Sequence, residues 1–250
     1  MSYEEEETMM MPQSTETILE SYVAGLPLFT RSLLEKRGRQ LTLARQLSTT
    51  QPRIDYDSIQ ELLKYGGGLG PSAVWISYPV VTERPSESLS DVREAYNTHR
   101  QSWLQSDACT LLTRQVDSLF PDSLNKIVCF GLGEFTASDR GFKGFAGRCH
   151  TQHAAVETIA KLLRKKREII CYAQDPGYND NDKEMLRSIG ITAIDDPRGF
   201  LEVDSNTLVI SISPNIPIKQ IITDLQPPGA MIWDTVLSEA QERELWGSAT

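Results

Sequence analysis

Two glycines, Gly131 and Gly133, follow the apolar run Ile127-Val-Cys-Phe130, the pattern by which a strand delivers its backbone to a ligand. Without a Cβ, such a turn lets a phosphate, ribose or amino-acid group come close to the main chain. Asp175 ends the next apolar run, where a ribose-binding carboxylate belongs, and Ser211, Ser213 and Asn215 follow a later one. If the runs are strands of one parallel sheet, all of these residues gather at its carboxyl end. The chemistry they suggest is binding of a small adenosine-containing molecule.

Competing signals are incomplete. The dinucleotide fingerprint asks for a third glycine where Thr136 stands, and it asks for a helix sooner than this chain provides one. Gly66-Gly-Gly-Leu-Gly70 follows a helical pattern and has no Lys-Ser/Thr after it, so it reads as a helix stop and hinge. Cys149-His150-x-x-His153 invites a zinc reading, yet no second ligand pair stands at matching spacing, and no metal is expected. His99 is likewise read as a surface or packed histidine. A Ser-His-Asp arrangement lacks a G-x-S-x-G elbow. No side chain stands out as catalytic acid, base or nucleophile.

The elements that must position these residues come in a recognisable order. Residues 1–13 form an acidic tail expected to be disordered. An N-terminal helical extension over 14–70 follows, with one helix starting at Ser14 and stopped by Gly25 and Pro27, and a second from Arg31 to Leu47. A third starts at an Asp57 cap and runs through Ile59 and Leu62. Ala73 to Val81 contains an edge strand, and a long helix capped by Ser90 runs to Phe120 with a break near Ser106. From Lys126 to Asp234 strands and helices alternate: strands at Ile127–Phe130, Glu168–Ala173, Ile191–Ile194, Leu208–Ile212 and Ala230–Trp233. The helices between them start at Thr151, Asn179 and Pro217. A short polar helix closes the chain. The class is α/β, a Rossmann-like doubly wound and mostly parallel sheet of about five or more strands. The α/β domain spans 71–250, with its core at 126–234.

Composition narrows the partners. The 250 residues carry a net charge of −9, against the basic stripe of a nucleic-acid binder, and the basic cluster Arg31, Lys36, Arg37, Arg39 and Arg45 reads as a solvated helix face. No apolar stretch reaches membrane-spanning length. Glu4 to Glu7 stand where a secretory signal needs positive charge, so a cytoplasmic or nuclear location is expected, with Cys109, Cys129, Cys149 and Cys171 reduced.

Taken together, Ile127-Val-Cys-Phe-Gly-Leu-Gly-Glu-Phe135, Gln152, Tyr172-x-x-Asp175-Pro176, Glu184 and Leu186 before Gly190, Thr207-Leu208 and the run to Trp233 carry a likeness. The segment Lys126 to Asp234 resembles the SRR-like domain, named for sensitivity to red light reduced. The resemblance implies a regulatory protein; in plants such proteins act in light input and circadian timing. One departure is clear. Many members end the fourth strand with a Pro-His-Cys-like segment, where this chain has Ile212-Ser213-Pro214.

Three readings stay open at this point. The first is a regulatory protein that binds an adenosine-containing ligand, S-adenosylmethionine or a related nucleotide. The second is a methyltransferase or other nucleotide-dependent enzyme using the same strand ends. The third is an interaction module that meets a protein partner through its N-terminal helices and the helix that carries Trp103. The candidate ligand-binding set is Gly131, Gly133, Glu134, Phe135, Gln152, Asp175, Pro176, Ser213 and Asn215.

Overall fold

A computed structural model describes residues 15–48, 50–65, 73–79, 87–136, 144–212, 214–234 and 241. In chain order these form α1 (Thr15–Val23), α2 (Arg31–Leu47), β1 (Arg53–Tyr56), α3 (Ile59–Tyr65), β2 (Val74–Ser77), α4 (Leu89–Leu104) and α5 (Asp107–Leu119). There follow β3 (Lys126–Phe130), α6 (Phe145–Arg164), β4 (Ile170–Gln174), α7 (Asp180–Ser188), β5 (Thr192–Ala193), α8 (Arg198–Glu202), β6 (Thr207–Ser211), α9 (Ile218–Leu225) and β7 (Ala230–Ile232). The expected acidic tail, the Gly66–Gly70 hinge, Ser213 and, apart from Gln241, the closing polar helix lie outside the described residues.

The apolar runs from Lys126 onward become one five-stranded sheet in the order β5-β4-β3-β6-β7, every neighbouring pair parallel. The chain moves outward from β3 through β4 to β5, then returns to the other side of β3 for β6 and β7. That is the doubly wound order, and its reversal point lies between β3 and β6. Ile127, Val128 and Cys129 are wholly buried, as expected for a central strand covered on both faces.

Alternation along the strands assigns the two faces. Ile127, Cys129, Cys171, Ala173, Leu208 and Ile210 pack under α4 to α7. Val128, Phe130 and Val209 point the other way, into a core shared with Phe29, Leu34, Leu41, Ile54, Tyr56, Leu62 and Val74. The N-terminal helices and the antiparallel β1–β2 pair therefore cover one face of the sheet, together with α8 and α9. Polar bonds fix this layer in place. The Leu28 and Phe29 amides donate to Asp224 Oδ2 at 2.8 and 3.0 Å, and the Ile59 amide donates to Gln220 Oε1 at 3.1 Å.

Several local boundaries differ from the sequence expectation, each for a visible reason. Ser88, not Ser90, caps α4 by accepting from the Asp91 amide, and Ser58, not Asp57, accepts from the Glu61 amide at α3. α6 starts at Phe145 after Gly144 at φ +82°, so Thr151 sits inside the helix and donates its hydroxyl back to Gly147 O at 2.8 Å. β1 and α8 were not anticipated; both are short, and β1 alternates Arg53 and Asp55 with buried Ile54 and Tyr56. The expected break in the long helix falls at Ser106, whose hydroxyl caps α5.

Candidate site at the strand reversal

The turn after β3 is built by its two glycines. Gly131 and Gly133 take φ +66° and +80°, left-handed backbone that favours glycine, while Leu132 between them is buried in the core. A Cβ on Gly133 would overlap the Cys149 Sγ on α6, so the missing side chain also lets that helix close on the turn.

Asp175 is where sequence reasoning put it, at the end of β4 and beside the turn. Its carboxylate braces the turn: Oδ2 accepts from the Gly133 amide at 3.0 Å and Oδ1 from the Gly177 amide at 2.9 Å. The Gly131 amide donates to Gln174 O at 3.2 Å. Both glycine amides are thus engaged within the protein. Burial holds the Asp175 carboxyl above its usual range, with the neighbouring Glu134 and Asp182 adding to the rise against the two amide bonds. Replacing Asp175 with Asn turns an acceptor into an amide donor facing one of these N–H groups. The expected cost is about 1–3 kcal/mol, read as a fall in thermal midpoint of several degrees.

Around this brace lies a network with no single sequence signature. Asp182 is fully buried and accepts from the Thr136 amide, the Thr136 hydroxyl and the Asn179 amide, at 3.0, 3.2 and 2.9 Å. The reciprocal bond, Asp182 amide to Asn179 Oδ1, completes a capping box at the start of α7. His153 lies within 2.7 Å of Cys149 O through Nδ1, which assigns the proton there; Nε2 then accepts from the Tyr178 hydroxyl at 3.0 Å. Burial pushes His153 down to about 3, so it stays neutral at physiological pH. The Cys149 thiol, raised to about 11 by burial and then by Asp175 and Glu134, stays protonated and is a poor nucleophile.

The other candidates take varied places. Phe135 is buried against His153, with ring centroids 3.9 Å apart, and Glu134 is buried with its side chain packed on Gly177. Gln152 is half-buried on α6, whereas Pro176 and Asn215 are exposed. Ser211 is fully buried and donates to Phe130 O at 2.9 Å, tying β6 to β3. Among the described residues no group of three His, Cys, Asp or Glu side chains is arranged to hold a metal, and no helix is long and apolar enough to cross a membrane.

Open space lies on the β6 side of the reversal. Two adjoining clefts of about 420 and 520 Å³ run between α3 and the loop from β6 to α9. Ser58, Gln60, Pro214, Ile216 and Pro217 line both; Asn215 belongs to the smaller, and Lys219, Gln220, Trp233 and Asp234 to the larger. Lys219 Nζ sits 4.6 Å from the Trp233 ring centroid. Gly131 faces this side, since a Cβ there would first meet Pro214 Cβ at 4.0 Å. Gly133 and Asp175 do not line the clefts.

The whole parallel sheet, from the first turn of α5 to just past β7, falls within residues 108–236, which match the SRR1 domain family. This protein belongs to the SRR1 domain family. The match covers just over half of the chain. No curated protein matches the chain. In this SRR1 domain the doubly wound order puts Gly131 and the cleft residues Pro214 and Asn215 at the reversal, while Glu134, Phe135 and Asp175 support the turn from behind.

Proposed function

We propose that this SRR1-domain protein is a regulatory protein that senses a small adenosine-containing ligand at the β3–β6 reversal. The observation that carries the reading is Gly131, in left-handed backbone at the switch point, facing Pro214 beside the clefts. The amides of Gly131 and Gly133 are engaged by Gln174 O and Asp175, which makes the turn a poor cradle for a pyrophosphate. S-adenosylmethionine, with no phosphate, suits it better than a dinucleotide. Asp175 then acts by holding the turn in shape. Methyl transfer needs mainly proximity and alignment, so an enzyme could use the same site. The protonated Cys149 and the neutral, engaged His153 favour the sensing role over it.

Isothermal titration with S-adenosylmethionine, its demethylated product, NAD(P) and ATP tests this reading. Binding is expected for the first two and weaker or none for the dinucleotides. Heat from none of the four would sink it. The alternative, an interaction module, is favoured by one observation: Val23, Leu26 and Leu47, on and just after the N-terminal helices, are 85%, 58% and 87% exposed.

A further inference from the structure

We propose that Asp196 is a proton-operated latch between the N-terminal layer and the carboxyl ends of the parallel strands. Asp196 follows β5 and is half-buried where three parts of the fold meet. Its Oδ1 accepts from the Tyr56 hydroxyl of β1 at 2.5 Å and from Gln174 Nε2, at the end of β4, at 3.0 Å. Gln174 Oε1 in turn accepts from the Gly199 amide of α8 at 2.6 Å, and Gln174 O holds the Gly131 amide. One carboxyl group thus joins the covering layer to the strand end that supports the β3 turn.

Among the described residues no cation offsets its charge at bonding distance. On α2, Arg45 faces this corner, but its guanidinium lies 3.5 Å from the exposed Asp195 carboxylate. On β1, Asp55 adds a second negative charge and Tyr56 supplies only its hydroxyl, while Arg198 on α8 pairs with Glu202 at 3.5 Å. Among the described residues the rings of Phe200 and Phe29 lie 5.5 and 6.3 Å from that of Tyr56. A carboxyl group so placed is easier to bury neutral than ionised. Burial raises Asp196 to about 7 from an ordinary value of 3.8, with the Tyr56 bond and Arg45 opposing the rise.

The sign follows from linkage. The docked layer favours the protonated carboxyl, so the stabilisation is complete below the undocked value and is lost as pH rises through about 7. Between pH 6 and pH 8 the undocked population should grow roughly tenfold, because only the docked state still takes up a proton in that interval.

Hydrogen exchange of the β1 amides at pH 6 and pH 8, corrected for intrinsic exchange, reads this directly. Protection is expected to fall about tenfold in the natural protein and to change little in Asp196→Asn, whose side-chain oxygen can still accept from Tyr56. Equal protection at both pH values in the natural protein overturns the latch. So does an Asp196→Asn variant that keeps the full pH response. Should that variant fail to fold, the carboxyl carbon shift of Asp196 in the natural protein serves instead. A midpoint near neutrality supports the latch, and one below about pH 5 overturns it.

Discussion

Gly133→Ala is expected to destabilise the protein by about 3 kcal/mol and lower its thermal midpoint on the order of 10 °C. Two effects add. Alanine at φ +80° carries the left-handed penalty of an L residue, roughly 1–2 kcal/mol. Its Cβ would also overlap the Cys149 Sγ and come within 3.2 Å of Cys149 Cβ, so α6 must shift away from the turn. Gly131→Ala is the matched control. It meets the first penalty at φ +66°, but its nearest new neighbour is Pro214 Cβ at 4.0 Å. Thermal melts should therefore separate the two variants, and Gly133→Ala combined with Cys149→Ala should recover part of the difference. Equal losses at Gly131 and Gly133 would show that contact with α6 contributes nothing.

The second large effect is expected from truncation to residues 108–236, the segment that matches the family. That piece keeps every strand of the parallel sheet but loses α1 to α4, β1 and β2. Val128, Phe130, Phe200, Val209, Ile218 and Ile221, each at least 97% buried in the intact chain, would lose the covering layer. On the other face, Val92 and Tyr96 of α4 leave the core, and Glu157 loses the Tyr96 and Arg100 bonds at 3.0 and 2.6 Å. At roughly 1.5–3 kcal/mol per large side chain, the loss is about 10 kcal/mol or more. Whole-domain stability is only about 5–15 kcal/mol, so the fragment should aggregate or give the poorly dispersed amide spectrum of an unfolded chain. A monomeric fragment with native-like dispersion would show that the N-terminal layer is dispensable for folding.

How far the sequence revealed this architecture depends on the range of the signal. The strands from Lys126 onward were legible because each is a short apolar run bounded by turn residues, and their order follows from few alternatives. α2 was found to the residue, since Thr30 caps it and Ser48 ends it. β1 was not, because only Ile54 and Tyr56 of its four residues are buried and its partner lies beyond α3. At the site, the glycines and Asp175 stood out by type and position. That Asp175 turns both oxygens onto backbone amides depends on how β4 sits beside the turn, which no local pattern records. Asn179 was visible as a helix start, but the hold of Asp182 on Thr136, 46 positions away, was not. The Tyr56–Asp196 contact spans 140 positions and had no sequence signal at all.

The aspartate that fastens the N-terminal layer, Asp224, lies 195 residues after the Phe29 amide it accepts. During synthesis the covering layer emerges first, and the surface meant for it is complete only once β6 and α9 have been made. Side chains such as Phe29, Leu34 and Leu41, buried in the folded chain, stay exposed while the intervening residues up to Asp224 are made. A nascent chain stalled before α9 should therefore be a better chaperone client than one released in full, and refolding from denaturant should be slow for a domain this size.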